Sequence, residues 1–187
     1  MSARAGQKLT LFTIGHSNRS LEALIAMLEA HGIKRLVDIR TIPRSRHNPQ
    51  FNRETLPEAL AAAGIAYEHR KGLGGLRRPR ADSANRGWRN DGFRGFADYM
   101  VTEEFAAELA ALVAEAEAAP TAVMCAEAVP WRCHRSLVAD ALLVRGHAVE
   151  HILSEARHQA HKLTPFARVE GGRVSYPAEE PDLPGMG

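Results

Sequence analysis

The chain has 187 residues, of which 45% are hydrophobic and 25% are charged, and its formal net charge at pH 7 is +2. This length suits one domain with its own core, and the composition excludes disordered and fibrous proteins. No segment is apolar for long enough to cross a bilayer, and the N-terminus lacks the apolar stretch of a signal peptide. We therefore expect a cytoplasmic protein whose two cysteines are free thiols.

Apolar runs of strand length alternate with segments in which apolar residues recur at helical spacing. The first helix follows Ser20, a good N-cap residue, and ends at Gly32. Thr102, followed by Glu104, indicates a break in the long third helix. The predicted strands are 9–14, 35–40, 65–69, 121–125 and 148–153, and the helices after the first are 54–63, 96–118 and 136–145.

Two segments stand outside this alternation. Residues 71–94 are rich in glycine and arginine and have no apolar period, so they predict a long loop, ordered if a ligand or a neighbouring element holds it. Residues 167–176 predict a β-hairpin that turns at Gly171-Gly172. Residues 1–8 and 177–187 are expected to fray, which leaves a domain core of about 9–176.

The alternation predicts an α/β fold over residues 1–187, a single three-layer domain. Its mainly parallel five-stranded sheet carries helices on both faces, followed by the small C-terminal β-hairpin. We predict the strand order 3-2-1-4-5. Ligands of such sheets bind beyond the carboxyl ends of the strands, where the winding reverses, here between the first and fourth strands.

Polar and ionisable residues follow the first, second and fourth strands. The richest segment, 123–136, holds both cysteines, a glutamate, a histidine and two arginines at one strand-to-helix turn. Tyr67, on the third strand, is either a candidate for stacking on a ligand or a core residue. The other candidate ligand-binding residues are Asn18, Asp38, Arg40, Arg44, Arg46 and Arg135, and the candidate catalytic residues are His16, Cys125, Glu127, Cys133 and His134.

Positive charge is concentrated between residues 40 and 94, where twelve lysines and arginines stand against five acidic residues. Most of these residues are arginines, whose planar guanidinium suits bidentate contacts with phosphate or carboxylate. Tyr67, Trp88, Phe93 and Trp131 supply aromatic rings that could stack on bases. The segment is therefore either an anion-binding surface or a solvated basic loop.

Several short motifs resemble those of a known protein family. They are Thr13-Ile14-Gly15-His16-Ser17, Val37-Asp38-Ile39-Arg40, Pro43-Arg44-Ser45-Arg46, Leu73-Gly74-Gly75, and Met124-Cys125-Ala126-Glu127 with Cys133-His134-Arg135-Ser136. In this order they resemble the family catalogued as domain of unknown function 488, over about Leu9 to Phe166. The resemblance implies a small α/β protein without an agreed activity. The resemblance supports the predicted α/β fold and points to the same candidate site residues, but it implies no particular reaction.

The cysteines allow two interpretations. A thiolate at Cys125 or Cys133 could act as a nucleophile, with His16 or His134 as base and Asp38 or Glu127 orienting that base. The start of the fourth helix and its neighbouring arginines would lower a thiol pKa there. Alternatively, both thiols simply pack in the core, as free cysteines often do.

The spacing of cysteines and histidines offers no paired zinc motif, so we expect no metal. The glycines lack the context of a dinucleotide or P-loop fingerprint, so we expect no cofactor. The expected partner is an anionic small molecule or a nucleotide, with nucleic acid as the alternative and no membrane contact. The sequence does not fix the oligomeric state.

The functional hypothesis is a Cys/His/Arg-lined cleft for a phosphorylated or other anionic ligand at the C-terminal edge of the sheet. One alternative is a non-enzymatic nucleic-acid-binding module that uses the arginine-rich segment 40–94. A second alternative is a cysteine-dependent enzyme that acts on an anionic substrate. Whether the protein is an enzyme stays open at the level of sequence.

Overall fold

A six-stranded sheet forms the centre of the computed structural model, which describes residues 6–179. Five strands are parallel, and the sixth pairs antiparallel with the fifth at one edge. The strands are β1 (Thr10–Gly15), β2 (Arg35–Asp38), β3 (Ala66–His69), β4 (Thr121–Cys125), β5 (Ala148–Ile152) and β6 (His158–Ala160). The α/β class and the mainly parallel sheet predicted from the sequence are confirmed.

Helices cover both faces of the sheet, which confirms the three layers. The helices are α1 (Leu21–Ala30), α2 (Leu56–Ala62), α3 (Asp91–Tyr99), α4 (Glu103–Ala118) and α5 (Arg135–Val144). Successive β4 residues point to opposite faces. Val123 and Cys125 belong to the cluster that contains buried residues of α3, α4 and α5, whereas Ala122 and Met124 belong to the cluster of α1 and α2.

The strand order is β3-β2-β4-β1-β5-β6, which agrees with the prediction at both flanks and differs in the middle. β4 lies between β2 and β1, and β6 is an additional, exposed strand of three residues. The β1-to-β2 connection therefore crosses β4 on one face, while the β4-to-β5 connection crosses β1 on the other. The winding still reverses between β1 and β4, so the predicted position of the site is unchanged.

Local capping follows the sequence closely. The Ser20 hydroxyl accepts a hydrogen bond from the Ala23 N–H at 3.1 Å, and the Thr102 hydroxyl accepts one from the Phe105 N–H at 3.2 Å. Thr102 thus separates α3 from α4, as predicted. However, α3 begins at Asp91, earlier than predicted, because Asn90 caps it.

The C-terminal hairpin consists of β7 (Arg168–Glu170) and β8 (Arg173–Ser175), which confirms its prediction. Gly171 and Gly172 both adopt positive φ at the turn, a conformation that L side chains rarely adopt. The ends that were expected to fray lie partly outside the described residues, namely 1–5 and 180–187. Within 6–179, no helix is long and apolar enough to span a bilayer.

The long loop between β3 and α3 is held by the protein's own groups. The buried Asp98 carboxylate accepts hydrogen bonds from the Ser83 hydroxyl at 2.6 Å, the Asn85 amide at 2.8 Å and the Arg80 N–H at 2.8 Å. The Asn85 side chain also accepts a hydrogen bond from the Tyr176 N–H at 2.9 Å, which ties the loop to the end of the hairpin. Hydrogen bonds to neighbouring elements of the protein therefore hold the loop.

Candidate functional site

A cleft of about 840 Å³ opens at the carboxyl ends of β1, β2 and β4. Eight of the candidate residues line it. They are His16, Asn18, Arg40, Arg44, Cys125, Glu127, Cys133 and His134. The loops after three neighbouring strands thus bring together side chains that are far apart in sequence. A cleft therefore lies at the edge of the sheet where the sequence predicts ligand binding, and its role as a binding site stays a prediction.

Gly15, the last residue of β1, allows the loop after β4 to come close. A Cβ atom at this position would lie 1.8 Å from the Glu127 carbonyl oxygen and 2.9 Å from the Ala128 Cα. These are backbone atoms, which cannot move aside as a side chain can. Since β1 and β4 are paired up to Gly15 and Cys125, the glycine determines how the cysteine-bearing loop begins.

The two cysteines meet on the floor of the cleft. Cys125 ends β4, Cys133 lies two residues before the start of α5, and both are buried free thiols. The Cys133 thiol donates a hydrogen bond to the Cys125 sulfur, with 2.7 Å between the two Sγ atoms. The intervening loop 126–132 therefore folds back on itself and joins the sulfurs.

Arg135 lies directly beneath the cysteines and is only 1% exposed. Its Nη1 donates to Cys125 Sγ at 2.7 Å and to the Glu127 carbonyl, while its Nη2 donates to the Ala128 carbonyl at 3.0 Å. Its Nε donates to the Thr13 hydroxyl at 3.2 Å. Among residues 6–179, none of these partners is a carboxylate. The guanidinium thus holds the loop in place and contacts one sulfur.

The pKa values of the two thiols are shifted in opposite directions. Burial opposes ionisation of Cys125, but the hydrogen bond from Cys133 and the positive charge of Arg135 outweigh it and lower the pKa of Cys125 to about 7. The hydrogen bond to Cys125, together with burial, raises the pKa of Cys133 far above its ordinary value. One thiolate is therefore shared by the pair near neutral pH, and it is centred on Cys125.

His134 faces the second cysteine. Its Nε2–H donates to the Leu73 carbonyl at 2.9 Å, so the unprotonated Nδ1 is directed towards Cys133 Sγ at 3.5 Å. Burial lowers the pKa of His134 to about 4, so the ring is neutral at physiological pH. Gly75 makes room for this ring, because a Cβ there would lie 2.5 Å from His134 Nδ1.

Arg40 forms the opposite wall of the cleft and is matched by a carboxylate. Its Nε and Nη2 donate to the two oxygens of Asp38 at 2.9 and 2.7 Å, and Nη2 also donates to the Phe51 carbonyl at 2.6 Å. The Tyr67 hydroxyl donates to the same carboxylate at 2.7 Å. Asp38 and Tyr67 therefore hold Arg40 from behind and do not line the cleft.

His16 lies between Arg40 and the cysteine loop. Its Nδ1–H donates to the Ser17 carbonyl at 2.7 Å, and its Nε2 accepts from Arg40 Nη1 at 3.3 Å. The ring stacks on Phe51 with 4.5 Å between centroids, and burial lowers its pKa. Since both ring nitrogens have partners, His16 orients the guanidinium of Arg40.

Two further candidate residues lie elsewhere. Arg46 is exposed on the loop after β2 and outside the cleft lining, and Arg135 lies under the floor. Other polar residues line the cleft but were not among the candidates. They are Ser17, Thr41, Ser45, Asn48, Asn90 and Arg132. Most of them follow a predicted strand, which is the signal that could have identified them.

A buried hydrogen-bonded chain continues from Arg135 into the domain. Thr13 Oγ1 contacts His151 Nδ1 at 2.6 Å, His151 Nε2 contacts His161 Nδ1 at 2.9 Å, and His161 Nε2 contacts Asp140 Oδ1 at 2.7 Å. Burial, with the nearby charges of His161 and Arg135, lowers the pKa of His151 to about 3. The sequence signal that could have identified this chain is Asp140, a carboxylate among the apolar residues 137–144 of α5.

Most arginines of the segment 40–94 bind groups of the protein itself. Arg70 pairs with Glu68, Glu108 and Glu115, and Arg77 donates to two carbonyls and lies over the Tyr99 ring. Arg80 pairs with Asp82, and Arg94 donates to the Trp88 carbonyl. Of the four aromatic rings considered for stacking, only Phe93 lines the cleft. The segment thus presents less free positive charge than its composition indicates.

Within residues 6–179, no group of three or more histidine, cysteine, aspartate or glutamate side chains is arranged to hold a metal ion. The family model of "Domain of unknown function DUF488" matches residues 20–142, about two thirds of the chain. The matched region contains both cysteines and Arg135, and it is shorter than the resemblance seen in the sequence motifs. Neither curated proteins nor solved structures match the chain.

Proposed function

The chain belongs to the DUF488 family, whose description states no activity, and we propose from its site that the protein is a cysteine-dependent enzyme acting on a small anionic substrate. In this proposal the Cys125 thiolate is the nucleophile. The cleft above it binds the substrate, and Arg135 stabilises the thiolate from below.

The contact between Arg135 and Cys125 carries this proposal. A buried guanidinium stays charged at any physiological pH, so it needs a compensating anion or a strong set of acceptors. Among residues 6–179 its acceptors are neutral oxygens and the sulfur of Cys125. The thiolate is the one group in that set that can supply negative charge. A purely structural cysteine gains nothing from such a neighbour, whereas a nucleophile does.

The cleft fits a small organic anion. Its volume of about 840 Å³ is within the usual range of small-molecule sites, roughly 300–1,000 Å³. Three arginines line it, of which Arg40 pairs with Asp38 and Arg44 pairs with Glu54 at 2.7 Å. Arg132 has no carboxylate partner within residues 6–179, and Glu127 is the one carboxylate of the lining. Ile42 and Leu76, which are 63% and 72% exposed, add apolar surface at its rim. The preferred substrate therefore has a negative group and an apolar portion.

Charge selectivity of alkylation tests the proposal in the Cys133→Ser variant, which retains Cys125 alone. The measured quantity is the ratio of the alkylation rate with anionic iodoacetate to the rate with neutral iodoacetamide. We expect this ratio to be about tenfold higher for Cys125 than for free cysteine. Arg132→Gln should lower this ratio, because it removes a cleft charge. The matched control Arg157→Gln, an exposed arginine outside the cleft, should leave the ratio unchanged.

A reagent ratio equal to that of free cysteine would show that the cleft does not favour anions. Alkylation of Cys125 at the pace of an ordinary thiol of pKa about 8.5 would remove the nucleophile from the proposal.

A further inference from the structure

We propose that the protein reduces small anionic disulfides, with Cys133 as the thiol that resolves a mixed disulfide formed on Cys125. This inference rests on the proposed function, because it takes Cys125 as the attacking group. It adds the class of substrate and a chemical role for the second cysteine.

The position of the two sulfurs supports a resolving role. Both cysteines line the same cleft, both are free, and their Sγ atoms are in contact at 2.7 Å. A nucleophile that only forms an adduct with its substrate does not need a second thiol against it. A disulfide reductase does, since the second thiol must reach the sulfur that carries the adduct.

Arg135 can serve both sulfurs in turn. Its Nη1 contacts Cys125 Sγ at 2.7 Å, and its backbone N–H, in the first turn of α5, is directed towards Cys133 Sγ at 3.5 Å. While Cys125 is ionised, its charge disfavours a second thiolate beside it. Once Cys125 is bound to a substrate sulfur, that charge is gone, and the same guanidinium and N–H favour ionisation of Cys133.

His134 provides a route for the proton of Cys133. Its Nε2–H is fixed on the Leu73 carbonyl, which leaves the Nδ1 lone pair 3.5 Å from Cys133 Sγ. The ring also lines the cleft, so a proton accepted there can pass to solvent. Gly75 keeps this position open, since any larger residue would press on the ring.

The reaction has two exchange steps that balance. First, the Cys125 thiolate attacks one sulfur of the substrate disulfide, the substrate S–S bond breaks, and the other substrate sulfur leaves as a thiolate with the electron pair. Second, Cys133 loses its proton and attacks Cys125 Sγ, which releases the remaining substrate thiolate. The protein is oxidised by two electrons to a Cys125–Cys133 disulfide. A dithiol then reduces this disulfide to two thiols for the next turnover and is itself oxidised to a disulfide.

Glutathione disulfide is a suitable probe because it is anionic. Wild-type protein, Cys133→Ser and Cys125→Ser are incubated with it, quenched with acid at successive times and analysed by intact mass and peptide mapping. We expect a transient glutathione adduct and then a Cys125–Cys133 disulfide in the wild type. Cys133→Ser should accumulate a stable adduct on Cys125, and Cys125→Ser should react at least about tenfold more slowly.

The outcomes separate the two proposals. If the wild type stops at a stable adduct on Cys125, as Cys133→Ser does, then Cys133 is not a resolving thiol, and the nucleophilic role of Cys125 stands. If neither protein forms an adduct on Cys125, both proposals are overturned. Cystamine, a dicationic disulfide, serves as the charge control, and equal rates with cystamine and glutathione disulfide would exclude anionic disulfides as the preferred class.

Discussion

Two buried arginines lie on opposite sides of the same cleft, and their surroundings differ in one respect. Arg40, 7% exposed, donates to both oxygens of the fully buried Asp38, so its charge is neutralised within the fold. Arg135, 1% exposed, donates to carbonyls, a hydroxyl and a sulfur, with no carboxylate among those partners in residues 6–179. Arg40 is therefore part of a closed ion pair, whereas Arg135 leaves positive charge for the cysteine side of the cleft.

The difference separates a structural arginine from one that supports chemistry. A paired charge fixes geometry but changes the acidity of little else, whereas an unmatched buried charge lowers the cost of a nearby anion. The cysteine side of the cleft is where the pKa of a thiol falls. On the arginine side, Asp38 and His16 hold the Arg40 guanidinium in place, and Tyr67 donates to the Asp38 carboxylate.

The largest expected effect comes from breaking the closed pair. Arg40→Met leaves the Asp38 carboxylate buried and without its cation, which should reduce the free energy of unfolding by about 3–5 kcal/mol. Arg135→Met leaves no such carboxylate behind, so its loss should be clearly smaller. Urea denaturation of both variants measures the difference. Equal losses would contradict the stated difference between the carboxylate-paired Arg40 and Arg135.

Acid should reduce the stability of the folded protein through His134, which lies on the cysteine side of the cleft. Its folded pKa of about 4 lies below the unfolded value of about 6.5, so the unfolded chain binds the proton first as the pH falls. Stability is therefore complete above about pH 6.5 and is lost between 6.5 and 4, by about 3 kcal/mol from this group. Urea denaturation at several pH values should show a shallower decline in His134→Gln. The exposed His47→Gln serves as control, and an unchanged decline in His134→Gln would contradict the assignment.

Removal of the unmatched charge should reduce thiol reactivity. Without the Arg135 guanidinium, the pKa of Cys125 should rise to at least its ordinary value of about 8.5, so the thiolate fraction at pH 7 falls from about half to about three in a hundred or less. Iodoacetamide should then alkylate Arg135→Met at least about 15-fold more slowly than wild type at pH 7. Arg135→Lys should retain part of the rate. Identical rates in wild type and Arg135→Met would show that the arginine does not activate Cys125.

A smaller effect is expected from a substitution at Gly15, where the backbone of Glu127 lies close to the glycine. Its replacement by alanine forces the Glu127 carbonyl away, and Arg135 binds that carbonyl. We expect Gly15→Ala to cost about 1–3 kcal/mol of stability and to slow alkylation of Cys125. Gly6→Ala, where no atom lies within 4 Å of the added Cβ, is the control. A neutral effect of Gly15→Ala would show that the loop adjusts freely.

The sequence predicted the edge of the sheet at which the cleft lies better than the order of the strands. Cys125 and His16 meet because both follow strands whose carboxyl ends share one edge, and that follows from alternation alone. The insertion of β4 between β2 and β1 could not be predicted, because β1 and β4 are both apolar runs with similar burial. No residue pattern specifies which of two such strands occupies the inner position.

The sequence also could not show that Arg40 pairs with a carboxylate and that Arg135, within residues 6–179, does not. Asp38 and Arg40 alternate along one chain, so their pairing could be expected, and Tyr67 joins them from the neighbouring strand. Arg135 was predicted as a ligand contact but lies under the floor, because its direction depends on the loop 126–128. Thr13, His151 and His161 act on it only through tertiary contacts.

Titration of a single thiol tests the central claim most directly. Cys133→Ser keeps a hydroxyl donor beside Cys125 and leaves one cysteine in the chain, so thiolate absorbance near 240 nm reports that group alone. We predict a titration midpoint near a pKa of about 7, which the hydrogen bond from position 133 and the charge of Arg135 together produce, and a rise of at least about one unit in the double variant Cys133→Ser/Arg135→Met. A midpoint at or above about 8.5 in Cys133→Ser would contradict it.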